Sequence, residues 1–237
     1  MIPSQVNRVR ALSALTLVLA CARANGSNQS ADSASTTRSE TPTVAVPAIQ
    51  KDSDDVKADL ARIQGSPTAK VWVIEVSDFQ CPFCRQWHEE TYQKLRDEFV
   101  KTGKIRLAYV NFPLAQHAYA LPAAEAAMCA GVQGKFWEMH DALFANQAKW
   151  EKLPAPAPFF DSLARASGVD AARWRQCVQS RKMTPLILAD QDRARVAGAA
   201  STPSFMIGNQ LLVGTQPIEN LRSAIDSALV KSRKLTP

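Results

Sequence analysis

Few residue types are abundant enough here to mark a specialised class of protein. The 237 residues include nine glycines and fourteen prolines, too few for a collagen-like or low-complexity array. Five cysteines are too few for a disulfide-dense mini-scaffold. Only three histidines, His88, His117 and His140, accompany a single C-x-x-C. That leaves no second ligand pair at zinc spacing, and no motif calls for a metal or another cofactor. The main apolar run, within residues 11–20, falls short of the roughly twenty residues a transmembrane helix needs. The net charge of +6 is spread along the chain rather than clustered, which argues against a nucleic acid partner. With 46% hydrophobic and 21% charged residues, the composition is that of a folded chain with one good core plus an elaboration.

The N-terminus reads as an address. Arg8 and Arg10 precede the apolar run, and small residues close it, the layout of an export signal over residues 1–20. Val18-Leu19-Ala20-Cys21 resembles a bacterial lipoprotein signal, in which Cys21 becomes the lipid-modified first residue; Ala20-Cys21-Ala22 and Ala22-Arg23-Ala24 also offer ordinary cleavage sites. On the lipoprotein reading, Ala22 rather than Asp after the cysteine points to the outer membrane of a Gram-negative cell. The lipid would be the protein's only hold on a membrane. Residues 21–50 are rich in Ser, Thr, Ala, Asn and Pro without apolar period and read as a flexible tether.

Beyond the tether, residues 52–63 have helical spacing, with acids near the start where the helix dipole favours them. Residues 71–76 form a nearly continuous β-branched run, the mark of a strand buried on both faces. A long helix is expected over 82–102, and a strand over 105–110. Residues 115–198 read as helices over 118–131, 134–146, 158–167, 171–181 and 185–197. A hairpin (204–207 and 211–213, turning at Gly208-Asn209-Gln210) and a helix over 217–232 close the chain. This order predicts an α/β fold: a small mixed sheet covered by helices, its halves (51–113 and 199–234) separated by a helical insertion over 114–198.

Cys81-Pro82-Phe83-Cys84 directly follows the buried strand and opens a helix. A sulfur at a helix N-terminus faces unpaired amide hydrogens and the positive end of the dipole, both of which favour a thiolate. Cys81 is therefore expected to be ionised and accessible. Cys84, one turn on, is expected to be shielded and able to bond it. Pro82 suits the first helical turn because it has no N–H to leave unpaired. Glu75, six residues before Cys81 in an otherwise apolar strand, is expected to be buried, with a raised pKa that lets it exchange protons with Cys84. Thr202-Pro203 precedes the hairpin; on its own it reads as an ordinary trans loop proline, with cis geometry as the alternative. Phe79, Phe83 and Phe205 are candidates for an apolar rim around Cys81, whereas Phe136, Trp137, Met139 and Phe144 read as core. Cys129 and Cys177, in the helical block, either pair in an oxidising compartment or stay as separate buried thiols.

The stretch from Val73 to Cys84, the stretch Cys129-Ala130-Gly131-Val132-Gln133-Gly134-Lys135-Phe136-Trp137-Glu138-Met139-His140-Asp141, and Ser201-Thr202-Pro203-Ser204-Phe205 together resemble the DsbA-like branch of the thioredoxin superfamily, over roughly residues 52–232. The resemblance implies a thioredoxin-like fold with an inserted helical domain and disulfide exchange in exported proteins. It matches Cys81 to the nucleophile, Cys84 to the resolving cysteine, Glu75 to the buried acid and Pro203 to a cis-proline. Pro82, Phe83, Thr202 and Pro203 would then border the substrate. Phe83 stands where strong oxidants of the branch carry His, and Phe offers no charge to the thiolate. The expected function is that of an exported, periplasmic thiol–disulfide oxidoreductase acting on proteins with cysteines and recharged by a membrane redox partner. In a Gram-positive cell it would sit at the cell surface. The alternatives are an isomerase or reductase kept reduced by such a partner, or a redox-inactive peptide-binding module.

Overall fold

The computed structural model describes residues 53–234. The expected export signal, Cys21 and the tether lie outside them. Among the described residues no helix is long and apolar enough to cross a membrane.

The described residues open with α1 (Asp54–Ala61), capped by the Ser53 side chain, which accepts from the Val56 amide at 3.3 Å, with Asp54 and Asp55 in the first turn. A short strand follows, β1 (Ile63–Gly65), where the helical pattern was expected to run to residue 63. Gly65 makes that strand possible: at φ +100°, any Cβ would lie 2.3 Å from the Ile105 carbonyl oxygen. Next come β2 (Val71–Ser77) and α2 (Pro82–Trp87). The latter continues through a π-helical turn (His88–Tyr92), α3 (Gln93–Leu95) and a second π-helical turn (Arg96–Val100). The expected long helix is thus one rod over 82–100 with two widened turns. β3 (Ile105–Asn111) returns beside β2.

The block between the sheet halves is wholly helical: α4 (Ala120–Gly131), α5 (Phe136–Ala145), α6 (Gln147–Trp150), α7 (Ala157–Ala166), α8 (Ala171–Gln179) and α9 (Thr184–Val196). Asp170 caps α8, accepting from the Arg173 amide at 2.8 Å. The four-residue α6 had no separate signal in the sequence. The hairpin β4 (Ser204–Ile207) and β5 (Gln210–Val213) leads into α10 (Ile218–Lys234).

The five strands lie in the order β1-β3-β2-β4-β5. β2 pairs parallel with β3, and the other contacts are antiparallel, so the sheet is mixed and β2 is central. That is why its apolar run is nearly unbroken. On one face Val73, Leu107, Phe205 and Ile207 pack with Trp87, Leu95, Leu221 and Ile225 of the long helix and α10. A second core fills the helical block and reaches the sheet at Tyr109 and the dithiol turn at Phe79, Cys81 and Cys84. The Cys81–Cys84 pair thus sits where the two cores meet.

Candidate active site

Cys81 is the N-cap residue of α2, in extended conformation (φ −70°, ψ 123°), with Pro82 at the first helical position. Its amide donates to the Asp78 carbonyl (3.0 Å), and its carbonyl accepts the Arg85 amide (3.1 Å). Its thiol lies 3.6 Å from the Thr202 carbonyl oxygen. The Cys81 pKa is lowered to about 6. The largest cause is the hydrogen bond from Cys84; the Thr202 side chain and the amides of Cys84 and Phe83 add to it, and together they outweigh burial. Cys84 is fully buried, and burial together with the neighbouring Cys81 charge pushes its thiol well above the ordinary range. Both are free thiols.

One expectation needs correction. Cys81 retains only 3% of its surface exposed, so it is not openly accessible. The sequence marks its helix terminus but not the Thr202–Pro203 loop or the helical block that close over it. The supposed aromatic rim is likewise smaller. Phe79 and Phe205 are core residues, and only Phe83 stands out, at 60% exposure. The Thr202–Pro203 peptide bond is cis, unlike the trans form that the dipeptide alone suggested. The Thr215 hydroxyl donates to the Phe83 carbonyl at 3.2 Å, tying the α2 turn to the segment after β5.

Glu75 is fully buried in β2, flanked in register by Tyr109 and Phe205. Neither carboxyl oxygen has a hydrogen-bond partner. Burial raises its pKa to about 8, so the group is mostly protonated at neutral pH. The Ser77 hydroxyl is near enough to influence Glu75, Cys84 and Tyr109, although no bond of ordinary length joins it to them.

Several groups around the dithiol were not picked out from the sequence. Asp78 is buried and holds the turn together, accepting from the amides of Gln80 (2.8 Å) and Leu114 (2.9 Å) and lying 2.7 Å from His117 Nδ1. Burial raises its pKa, partly opposed by those bonds. Gln147 of α6, also buried, donates to the carbonyls of Phe79 (2.6 Å) and Cys81 (3.0 Å). His140 of α5 is buried among Phe79, Tyr92, Tyr109, Trp137 and Phe144, with Asp141 and His88 beside it. Only His140 carried a signal, as a polar residue inside an apolar helical stretch. Farther off, Cys129 of α4 and Cys177 of α8 are joined by a disulfide, Cα atoms 5.8 Å apart.

A mixed sheet with a dithiol at the N-terminus of the helix after its central strand, faced by a cis-proline loop, defines the thioredoxin-like class. The chain belongs to the thioredoxin family: the family model described as Thioredoxin matches residues 57–227. The helical insertion makes its fold DsbA-like. The chain is similar to alpha-DsbA1 of Wolbachia pipientis, with a TM-score of 0.64 at 23% identity, covering 72% of this chain and 91% of that one. It is 26% identical to a putative protein-disulfide oxidoreductase of Rickettsia conorii, over 82% of this chain and 73% of that one. It is also 35% identical over 179 residues to a Na(+)/H(+) antiporter, NhaA 1, of Salinispora arenicola, 75% of this chain but only 26% of the antiporter. The chain thus spans about a quarter of that relative's length.

Proposed function

We propose that this protein exchanges disulfides with exported polypeptides through Cys81 and Cys84. One observation carries the reading: Cys81 caps the N-terminus of α2 against the cis Thr202–Pro203 loop, with Cys84 buried one turn on, a setting that drives Cys81 down to about 6 and Cys84 well up. In the oxidised protein, a substrate thiolate attacks Cys81 Sγ. The Cys81–Cys84 bond breaks, Cys84 leaves with the electron pair and takes up a proton, and a mixed disulfide forms at Cys81. A second substrate thiolate then attacks the substrate sulfur, and Cys81 leaves as a thiolate. Two electrons have passed from substrate to protein. A low-pKa Cys81 is a good leaving group, which favours this oxidising direction. Recharging needs an electron acceptor, for which a membrane redox partner is the proposed class.

Glu75 acts on the inner thiol, giving up or accepting the Cys84 proton as the bond breaks or forms. Thr202 and Pro203 border Cys81 opposite α2, where an extended peptide would lie. Exposed Phe83 offers apolar contact beside the nucleophile. The export reading of residues 1–20, lipid attachment at Cys21 and a periplasmic or cell-surface location, the outer membrane first, belong to the same proposal. An isomerase or reductase role would use the same chemistry with the resting state reduced.

The test is ultraviolet titration of the reduced protein, paired with insulin reduction and reoxidation by glutathione. A thiolate absorbance at 240 nm that appears near pH 6 and vanishes in Cys81→Ser, together with loss of exchange in that variant, is the expected outcome. An ordinary thiol titration, or full exchange by Cys81→Ser, would overturn the assignment.

A further inference from the structure

Beneath Cys84 lies a group of buried polar atoms that thiol exchange at Cys81 leaves unexplained. Both oxygens of Glu75, the hydroxyls of Ser77 and Tyr109, and Nε2 of His140 are buried without a hydrogen-bond partner. A buried polar atom left without a partner is destabilising, so several in one place call for ordered water or a function.

The positions connect. Ser77 is within influence of both Cys84 and Glu75. Glu75 is the register neighbour of Tyr109 across β2 and β3. The His140 ring meets the Tyr109 ring edge-on, centroids 5.3 Å apart. On its far side, His140 Nδ1 lies 2.8 Å from Asp141 Oδ1, and His88 Nε2 lies 3.2 Å from the same oxygen. Burial alone would raise the Asp141 pKa, but the bonds to the two imidazoles override it and hold the carboxylate ionised. An ionised carboxylate only accepts, so Nδ1 of His140 carries the ring hydrogen. Nε2 therefore keeps a bare lone pair inside the protein. The outer edge is wet: the side chains of Asp141 and His88 are 42% and 14% exposed.

We propose that His140 is the exit and entry point for the Cys84 proton, exchanging it with Glu75 through ordered water at Nε2 and with solvent through the Asp141–His88 edge. The inference rests on the thiol–disulfide reading. When Cys84 attacks the Cys81 mixed disulfide, the Cys84 S–H bond breaks, the Cys81–Cys84 bond forms and the substrate sulfur leaves as a thiolate. The proton goes to Glu75 and on to His140 Nε2 as the Nδ1 proton leaves to Asp141 and solvent, and the reverse shift restores the Nδ1–H ring when Cys84 next takes up a proton. In the oxidising direction Cys84 leaves and draws a proton back along the same path. No electrons travel along it. His140 touches neither sulfur and is a positioning residue acting through Glu75. The groups facing it are Asp141 on its own helix, His88, Tyr92 and Arg96 on the long helix, and Tyr109 on the sheet, with Glu75 the register neighbour of Tyr109. Burial, aided by the charges of His88 and Arg96, lowers its pKa to about 4 against the pull of Asp141. At neutral pH the ring is therefore uncharged and passes the proton on rather than storing it.

The experiment uses the full chain with glutathione as the probe. The Cys81–glutathione mixed disulfide is formed with oxidised glutathione, and release of glutathione by Cys84 is followed between about pH 5 and 9. In His140→Phe the release should slow about tenfold or more at neutral pH and recover towards alkaline pH, where hydroxide takes the proton directly. Attack of Cys81 on oxidised glutathione should be unchanged. Asp141→Asn, at a half-exposed site, should slow release in the same pH-dependent way if His140→Phe does not fold. Nitrogen-15 shifts of the unaltered protein should show His140 protonated at Nδ1. A release profile in either folded variant that matches the parent, or an Nε2–H tautomer, would overturn the relay alone. A parent that exchanges no glutathione would overturn both the relay and the function.

Discussion

Glu75 and Cys84 share a fully buried environment, and both are driven towards their neutral forms. For Glu75 the consequence is a cost that depends on pH. Between about 4.5 and 8 the folded protein keeps the Glu75 proton, while the unfolded chain has lost it. The folded state then binds more protons, and stability falls as pH rises through that window, by up to about 1.4 kcal/mol per pH unit. Glu75→Gln removes the group that titrates. In the oxidised protein, the unfolding free energy of the variant minus that of the parent should rise from pH 5 to 8 and reach a few kcal/mol near pH 8, read from urea midpoints. Equal slopes in the two proteins would mean that Glu75 is ionised in the fold. The same variant should slow Cys84 attack without changing the Cys81 titration. Glu75 was visible in the sequence because its flanks leave a carboxyl no wet face. His140 and Gln147 were not. Each lies on a helix of the inserted block, and which buried atoms it meets depends on how that helix docks.

At the scale of elements, local chemistry wrote most of the fold into the chain. β-branched runs mark β2 and β3, apolar spacing marks the helical block, and Gly208-Asn209 marks the hairpin. What escaped was short or set by partners. β1 is three residues long and exists because Gly65 lets it press against β3. The π-helical turns leave no pattern in the sequence, since residues 88–100 still present a single apolar face. The four-residue α6 had no period to detect, yet Gln147 on it braces the dithiol turn. Gln147→Ala would strip the carbonyls of Phe79 and Cys81 of that donor in a buried setting. A loss of about 1–3 kcal/mol is expected, measured by chemical denaturation of the reduced protein. No loss would mean that water replaces the amide there.

For the whole molecule, the two cross-linking chemistries are separated in space and should be separable in function. The Cys129–Cys177 bridge closes 48 residues of the helical block. Removing both sulfurs as Cys129→Ala with Cys177→Ala should cost about 2–4 kcal/mol of stability and leave the Cys81 titration where it is. A shifted titration would mean that the block transmits strain to the dithiol. The redox state itself should move global stability with pH. In the reduced protein, Cys81 is lowered to about 6, against roughly 8.5 for a free cysteine. Between those values the unfolded chain holds the proton and the folded one does not. Stability of the reduced form therefore gains up to about 1.4 kcal/mol per pH unit on rising through the window, and loses it as pH falls through 6. The opposing effect of Glu75 is present in both redox forms, so it cancels in the difference between them. Unfolding free energies of reduced minus oxidised protein, measured at several pH values, should rise from pH 6 to 8, flatten below that window, and turn down above roughly 8.5, where unfolded Cys84 ionises and folded Cys84 keeps its proton. A difference that does not change with pH would mean that Cys81 is no more acidic in the fold than out of it, whatever its helix terminus offers.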